Sequence, residues 1–204
     1  MSDPLIAPAS VASPSPGVAA ALLCAGGGSR YDRGRPGAKL VAPWRGRPLV
    51  VWAVDHLVAA NFDTVFVVTG PADLAGLLPD DVAVVENPDW KDGLATSLQV
   101  AISAARSAEA DVKALVVGLG DQPLIGPEAW RAVASAGGPI AVATYGGRRR
   151  NPVKLARAVW GQLPTTGDEG ARALMRSRPE LVVEVPCPGD PLDIDTKDDL
   201  AGTM

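Results

Sequence analysis

The sequence predicts an α/β fold built on a mainly parallel sheet covered by helices on both faces. Three observations predict it. Short apolar runs such as Val18–Cys24, Thr64–Thr69 and Ala114–Val117 are continuous rather than alternating, as strands buried on both faces are. Segments with helical apolar spacing stand between these runs, the pattern that βαβ units leave in a chain. Glycine clusters close the first and fourth runs, at Gly26-Gly27-Gly28 and Gly118-Leu119-Gly120, where a backbone turns sharply or lets a ligand approach its N–H groups.

Each element follows in chain order. The first strand, Val18–Cys24, feeds the glycine turn and a long loop reaching Arg47. Pro48 suits the first turn of a helix running to Ala60. Thr64–Thr69 reads as a second strand stopped by Gly70-Pro71, followed by a short helix over Ala72–Leu78 and a third strand over Val82–Val85. Asn87-Pro88-Asp89-Trp90 is a turn. Leu98, Ile102 and Ala105 give helical spacing over Thr96–Ser107, with a start near Gly93. Ala114–Val117 is a fourth strand, leading to Gly120-Asp121-Gln122-Pro123. Pro127–Ser135 is a helix with proline at its start, and Ile140–Thr144 is a fifth strand. Gly146–Asn151 is a hairpin tip, and the short strand Pro152–Leu155 after it need not be parallel. Two short helices near Leu155–Gln162 and Asp168–Arg176, a strand over Leu181–Val185 and a last helical turn capped by Thr196 complete the chain.

Composition bounds the function. With 204 residues, 47% of them hydrophobic and 21% charged, the chain suits one globular domain, placed at residues 18–204 behind a disordered Pro-, Ser- and Ala-rich tail at residues 1–17. The net charge of −4 argues against generic nucleic-acid binding, which needs a basic surface. No apolar run has the roughly 18–20 residues of a membrane span, and the N-terminus lacks the charged and apolar regions of a signal peptide. The expectation is a cytoplasmic protein without a membrane or nucleic-acid partner. Cys24 and Cys187 are too few for a disulfide framework or a thiolate zinc site, and read as idle thiols in a reducing compartment. His56 is the only histidine and falls in a helical pattern, so a Ser-His-Asp triad has no candidate.

Ligands of such sheets gather at the carboxyl ends of the strands. That points to Gly26–Gly28, to Asp121 and, if it follows a strand end, to Asp195. The loop after the first strand is neither a P-loop nor a dinucleotide fingerprint, because no Gly-Lys-Ser/Thr follows and Tyr31 stands in place of a third spaced glycine. It is nevertheless rich in cations: Arg30, Arg33, Arg35, Lys39, Arg45 and Arg47. Each alone is equally well a solvated charge; together, beside a glycine turn, they read as a polyphosphate socket. Asp121 facing that loop is either an ion-pair partner of Arg30 or Lys39 or a ligand of Mg²⁺, which is held by one or two carboxylates with phosphate oxygens and water. Asp193 or Asp195 is the second carboxylate. Both share a face if this segment is a strand, and spacing does not choose between them.

Taken in order, Leu23–Arg30, Lys39-Leu40, Asn87–Trp90 with Gly93 and Ser97-Leu98, Gly120–Pro123, Gly167–Arg172 and Asp193–Thr196 resemble the molybdenum cofactor nucleotidyltransferases, most of all the cytidylyltransferase branch. The resemblance runs from about residue 18 to 200. It implies a three-layer, Rossmann-like nucleotidyltransferase fold of GT-A type. The implied reaction is Mg²⁺-dependent transfer of CMP from CTP to a molybdopterin-bound molybdenum cofactor with release of pyrophosphate, with a molybdoenzyme as downstream partner. Carried over residue by residue, Ala25, Gly26, Gly27, Gly28, Arg30, Lys39, Gly93, Ser97 and Asp121 would hold the nucleotide. Arg30, Lys39 and Asp121 would serve catalysis, Asp121 and Asp195 the Mg²⁺, and Asn151 and Asp168 the acceptor. Ala25-Gly26 resembles the CTP-type loop, where the guanylyl branch has Gly-Gly.

The chain also departs from the family pattern. The stretch between Arg30 and Lys39 carries an insertion around Asp32–Pro36, which brings Arg33 or Arg35 forward to share or replace the role of Arg30. Asn151-Pro152-Val153 stands where the family has His-Pro-Val. The alternatives are therefore guanylyl transfer, nucleotidyl transfer to another phosphorylated small molecule, a non-catalytic molybdenum-cofactor carrier and, with less support, a glycosyltransferase using Asp193-Ile194-Asp195.

Overall fold

The computed structural model describes residues 14–202; most of the expected tail, residues 1–13, lies outside the described residues. Seven strands form one sheet in the order β5-β4-β1-β6-β8-β7-β9. β1 (Val18–Cys24) is third in that order, parallel to β4 (Val65–Thr69) on one side and to the central β6 (Ala114–Leu119) on the other, and β5 (Ala83–Glu86) extends the parallel half. β7 (Ile140–Tyr145) and β8 (Arg148–Ala156) form a hairpin whose second strand inserts antiparallel beside β6, and β9 (Val182–Pro186) pairs in parallel with β7. A small separate hairpin joins β2 (Pro43–Trp44) to β3 (Arg47–Pro48).

Alternation along β1 distributes the core into two layers. Ala20, Leu22 and Cys24 pack with α2 (Leu49–Val58) and α4 (Pro127–Ser135). Ala19, Ala21 and Leu23 pack with α3 (Leu94–Ser107) and α5 (Ala171–Ser177). The buried positions of α3, among them Leu98, Ala101, Ile102 and Ala105, recur at helical spacing and place one stripe on the sheet. α1 (Ala38–Val41) and α6 (Lys197–Gly202) are single short turns near the carboxyl ends of β1 and β6. No described helix is long and apolar enough to cross a membrane.

The structure departs from the sequence reading in places with identifiable causes. Residues 72–78 are a turn, not a helix: Asp73 accepts the Ala75 N–H at 3.0 Å and Gly76 takes φ +70°, a local pairing that competes with helical bonds. β8 runs through Ala156, so the expected helix near Leu155 is a 3₁₀ helix over Arg157–Gln162. α5 starts at Ala171 because Gly167 is already engaged with the start of α3, its N–H on Asp92 O at 2.8 Å and its carbonyl on the Ala95 N–H at 2.9 Å. Pro48 stands one residue before α2. Asp193-Ile194-Asp195 has no regular secondary structure and lies outside the sheet.

One apolar side chain sets the position of that segment. Ile194 is fully buried with Trp44 and Leu49, and its N–H bonds to Asp121 O at 3.1 Å. The neighbouring aspartates are thereby fixed at the carboxyl end of β6. Thr196 caps α6 as expected, its hydroxyl accepting the Asp199 N–H at 3.1 Å while Asp199 accepts the Thr196 N–H at 2.8 Å. Ile194→Ala should cost about 2–4 kcal/mol, as truncation of a buried aliphatic side chain does; denaturant unfolding measures the loss. A cost under about 1 kcal/mol would show that this side chain does not anchor the segment.

Candidate functional site

Two adjoining cavities open at the carboxyl ends of the central strands. The smaller, about 340 Å³, is bounded by Ala25–Ser29, Lys39, Trp90, Lys91, Gly93, Ser97 and Asp168. The larger, about 640 Å³, has an aliphatic floor of Leu98, Val142, Val153, Leu155 and Met175 beneath a rim that includes Arg149, Arg150 and Arg172. Leu23, Leu94, Leu119 and Asp121 border both. Of the polar side chains, Asp121 alone is thus shared by the two.

The loop Gly26–Ser29 turns tightly out of β1. Gly27 sits against the Trp90 ring, where any Cβ would come within 2.7 Å of a ring carbon; a side chain here would force the ring or the loop to shift. The inserted stretch closes on itself, with the Gly37 N–H returning to Gly27 O at 3.0 Å. The chain therefore re-enters at the base of the loop, and Lys39 still reaches the site. Arg33 and Arg35, expected to share or replace the role of Arg30, are exposed and border neither cavity. Arg45 stacks over Trp44, and Arg47 pairs with Asp55 at 2.8 Å. The six-cation socket thus reduces to two members, Arg30 and Lys39.

Those two cations meet the carboxylates directly. Lys39 Nζ lies 2.6 Å from Asp121 Oδ2 and 3.4 Å from Asp195 Oδ1. Arg30 lies 2.7 Å from the other oxygen of Asp195. The lysine side chain is only 9% exposed, against 75% for Arg30. The Lys39 pairs are therefore poorly screened, while the Arg30 pair contributes little to stability. Asp121 fits both of its sequence readings: it is an ion-pair partner, and its Oδ1 is buried with no hydrogen-bond partner. Leaving a buried acceptor unsatisfied costs about 1–3 kcal/mol. That orphan oxygen, next to a second carboxylate and facing the glycine loop, suits a hard divalent cation. Among the described residues no three His, Cys, Asp or Glu side chains group as a metal site, so such a cation would need phosphate oxygens and water to complete its shell.

Asp193, the other candidate, touches neither cation. Its Oδ1 accepts Gln122 Nε2 at 2.7 Å, and Gln122 in turn accepts Asn151 Nδ2 at 2.9 Å. Burial, then the nearby Asp121 charge, push the Asp193 carboxyl above the usual carboxylate range. Cys24, under the loop, is also shifted upward by burial and by Asp121, so its thiol stays neutral and is a poor nucleophile. His56 borders neither cavity.

The remaining expected residues separate between the cavities. Gly93, at φ +101°, lets the start of α3 pack on the Gly167 backbone, where a Cβ would come within 2.5 Å. Ser97 is buried in the smaller cavity wall and its Oγ accepts Asn87 Nδ2 at 3.0 Å. Asp168 lies in that same wall, beside Gly93, whereas Asn151 lies in the larger cavity. Sequence reasoning passed over Asn87, Trp90 and Gln122 as turn and motif residues. Asn87 is 1% exposed and holds Thr96, Ser97 and the Asp89 N–H together. An asparagine after a strand and before Pro is the ordinary signature of a turn, so no local signal marks it as an organiser.

Known proteins resemble this chain over most of its length. A family model described as the MobA-like NTP transferase domain matches residues 20–182. Nicotine blue oxidoreductase of Paenarthrobacter nicotinovorans is 30% identical over 197 residues, spanning 89% of this chain and 93% of that protein. Rv0371c of Mycobacterium tuberculosis H37Rv superposes with a TM-score of 0.77 at 28% identity, over 92% of this chain and 97% of that one. The same protein in complex with manganese gives 0.70 at 28% identity, over 91% and 97%. The sheet is thus the Rossmann-like, GT-A type fold.

The upward shift of Asp193 has a measurable consequence. A carboxyl that ionises less readily when folded loses stability as pH rises from the ordinary carboxylate value through its raised value, and bears the full cost above it. Asp193→Asn keeps an oxygen for Gln122 and removes that charge. The metal-free variant should melt above the wild type at pH 7, with the difference vanishing below the ordinary carboxylate value. A variant that melts lower at pH 7 would contradict the shift.

Proposed function

We propose, for a chain that belongs to the MobA-like NTP transferase domain family, the transfer of CMP from CTP to a molybdopterin-type molybdenum cofactor, with release of pyrophosphate. Nucleotidyl transfer is the activity class of that family; the base, the acceptor and the metal are the proposal. One observation carries it: Lys39 is clamped between Asp121 and Asp195 beside the glycine loop. The two cations and two carboxylates neutralise one another. A nucleotide arriving with a divalent cation brings the complementary set, phosphates for Lys39 and Arg30 and a cation for Asp121 and Asp195.

The backbone of Gly26–Gly28 offers N–H groups to the phosphates, and Lys39 and Arg30 neutralise charge as the bond to pyrophosphate breaks. The terminal phosphate of the acceptor, held in the larger cavity, supplies the attacking oxygen to the α-phosphorus. No protein nucleophile is required, in keeping with a neutral Cys24. Mg²⁺ held by Asp121 and Asp195, when bound, would add charge stabilisation at the transferring phosphate; manganese in the complex of the 28% identical mycobacterial protein supports a divalent ion there. Ala25-Gly26 supports cytosine over guanine. Asn151 and the arginine rim support an anionic acceptor, and Asp168 serves the nucleotide side. The reading puts the reaction in the cytoplasm, where free Cys24 and Cys187 stay reduced, with a molybdoenzyme receiving the product.

The name of the 30% identical relative supports a second reading, oxidoreduction of a pigment-sized molecule in the larger, apolar-floored cavity. Pyrophosphate release with Mg²⁺ across CTP, GTP, ATP and UTP, with and without molybdenum cofactor, separates the two when run beside an NADH and NADPH oxidation assay with nicotine blue. Release with CTP plus cofactor alone is expected. Asp121→Ala should lower kcat by about a thousandfold, about 4 kcal/mol of barrier, in a protein that melts lower, because Lys39 loses its nearer partner, but is still folded at the assay temperature. Retained turnover with intact metal binding would remove Asp121 from the metal site.

A further inference from the structure

The two aspartates flanking Ile194 are held by different partners. Asp195 gives one oxygen to Lys39 of α1 at 3.4 Å and the other to Arg30, which follows the glycine turn, at 2.7 Å. Asp193 contacts neither. Its Oδ1 accepts from Gln122, which is 3% exposed, and Gln122 Oε1 is occupied by Asn151 from β8. Both polar atoms of the Gln122 amide are therefore committed, which fixes its orientation: oxygen toward Asn151, nitrogen toward Asp193. All three residues border the larger cavity and none borders the smaller one, as holds for Arg30 and Asp195 too; the hydrogen-bond partners, not the cavity, distinguish the two aspartates. Asp193 Oδ2 has no hydrogen-bond partner among the described residues.

We propose that Asp193 is an acceptor-recognition residue rather than a second metal ligand, its free oxygen held toward the larger cavity by the Asn151–Gln122 relay to receive an N–H or O–H donor of the acceptor. The inference rests on the functional reading above and adds a chemical requirement to it. The arginine rim takes an anionic group, and the carboxylate takes a hydrogen-bond donor at another point of the same molecule. An acceptor that is only an anion covers the half-buried Asp193 carboxylate and leaves its second oxygen without a donor, which is unfavourable for a charge withdrawn from water. The relay also gives Asn151 a task that suits its side chain. Its amide nitrogen donates to Gln122 Oε1 without titrating across the physiological range.

Polarity tests the assignment better than truncation. In Asp193→Asn, the introduced amide oxygen replaces Oδ1 as acceptor of Gln122 Nε2, and an NH₂ group then faces the cavity where an acceptor stood. In the double variant Gln122→Glu with Asp193→Asn, the introduced carboxylate accepts both from Asn151 and from the introduced amide. That turns the amide oxygen back to the cavity. Two affinities are measured by calorimetry on the full-length protein: Mn²⁺ with CTP, and molybdenum cofactor. Asp193→Asn should leave Mn²⁺·CTP affinity within about threefold and weaken cofactor binding by about tenfold or more, as loss of a hydrogen bond to a charged group does. The double variant should recover part of that loss. Asp195→Asn is the control that should weaken Mn²⁺·CTP. The inference is overturned if Asp193→Asn weakens Mn²⁺·CTP as much as Asp195→Asn, if it leaves cofactor binding unchanged, or if the double variant binds cofactor no better than the single one. Wild-type protein that binds no cofactor overturns the functional reading and this inference with it. Failure confined to the variants overturns the inference alone.

Discussion

The contact on which the site depends is the Lys39 ammonium held between Asp121 and Asp195. It joins three parts of the chain that share no local sequence: α1 after the glycine loop, the end of β6 and the C-terminal segment. A lysine 9% exposed needs compensating charge, and the two carboxylates need a cation. Each group is therefore stable in place only because the others are there. Much of the surrounding architecture serves that meeting. The Gly37–Gly27 hydrogen bond returns the inserted loop to its base, Ile194 pins the C-terminal segment in its own small core, and the Ile194–Asp121 backbone bond sets the two aspartate-bearing segments side by side.

The same arrangement explains why the cleft has two unlike halves. The smaller cavity is made of loop backbone, cations and the start of α3, all parts that suit phosphate. The larger is made where β8 enters the sheet antiparallel, carrying Arg149, Arg150 and Asn151 over the aliphatic side chains of β7, α3 and α5. The hairpin delivers both a floor and a rim because Val153 and Leu155, two residues apart, share one face of β8, while Arg149, Arg150 and Asn151 lie further along the same strand toward its turn. Asp121 stands where the halves join, as the geometry of group transfer between two bound molecules demands.

Much of this was legible in the sequence. β1 has the expected bounds, α4 has them too, and the apolar alternation with helices foretold a mainly parallel sheet. Buried strands and an N1 proline leave strong local marks. The site was legible as separate motifs, since glycine at a strand end and an aspartate after one are chemically telling. What was not legible was assignment among similar residues. Six loop cations looked alike until the fold turned Arg45 and Arg47 toward tryptophans and left Arg33 and Arg35 in solvent. Asp193 and Asp195 looked alike until long-range partners, Gln122 for one and Lys39 with Arg30 for the other, separated them. Contacts between residues so far apart in the chain have no signature in a local window.

The central claim is that the Lys39 cluster exchanges its internal ion pairs for those of a metal–nucleotide pair. The most direct measurement is Mn²⁺ affinity of the wild-type protein, by electron paramagnetic resonance, with and without saturating CTP. Because nucleotide phosphates draw Lys39 and Arg30 away from the carboxylates and supply metal ligands of their own, CTP should tighten Mn²⁺ binding by about tenfold or more, and Mn²⁺ should tighten CTP by the same factor. Equal Mn²⁺ affinity in the presence and absence of CTP would contradict the account.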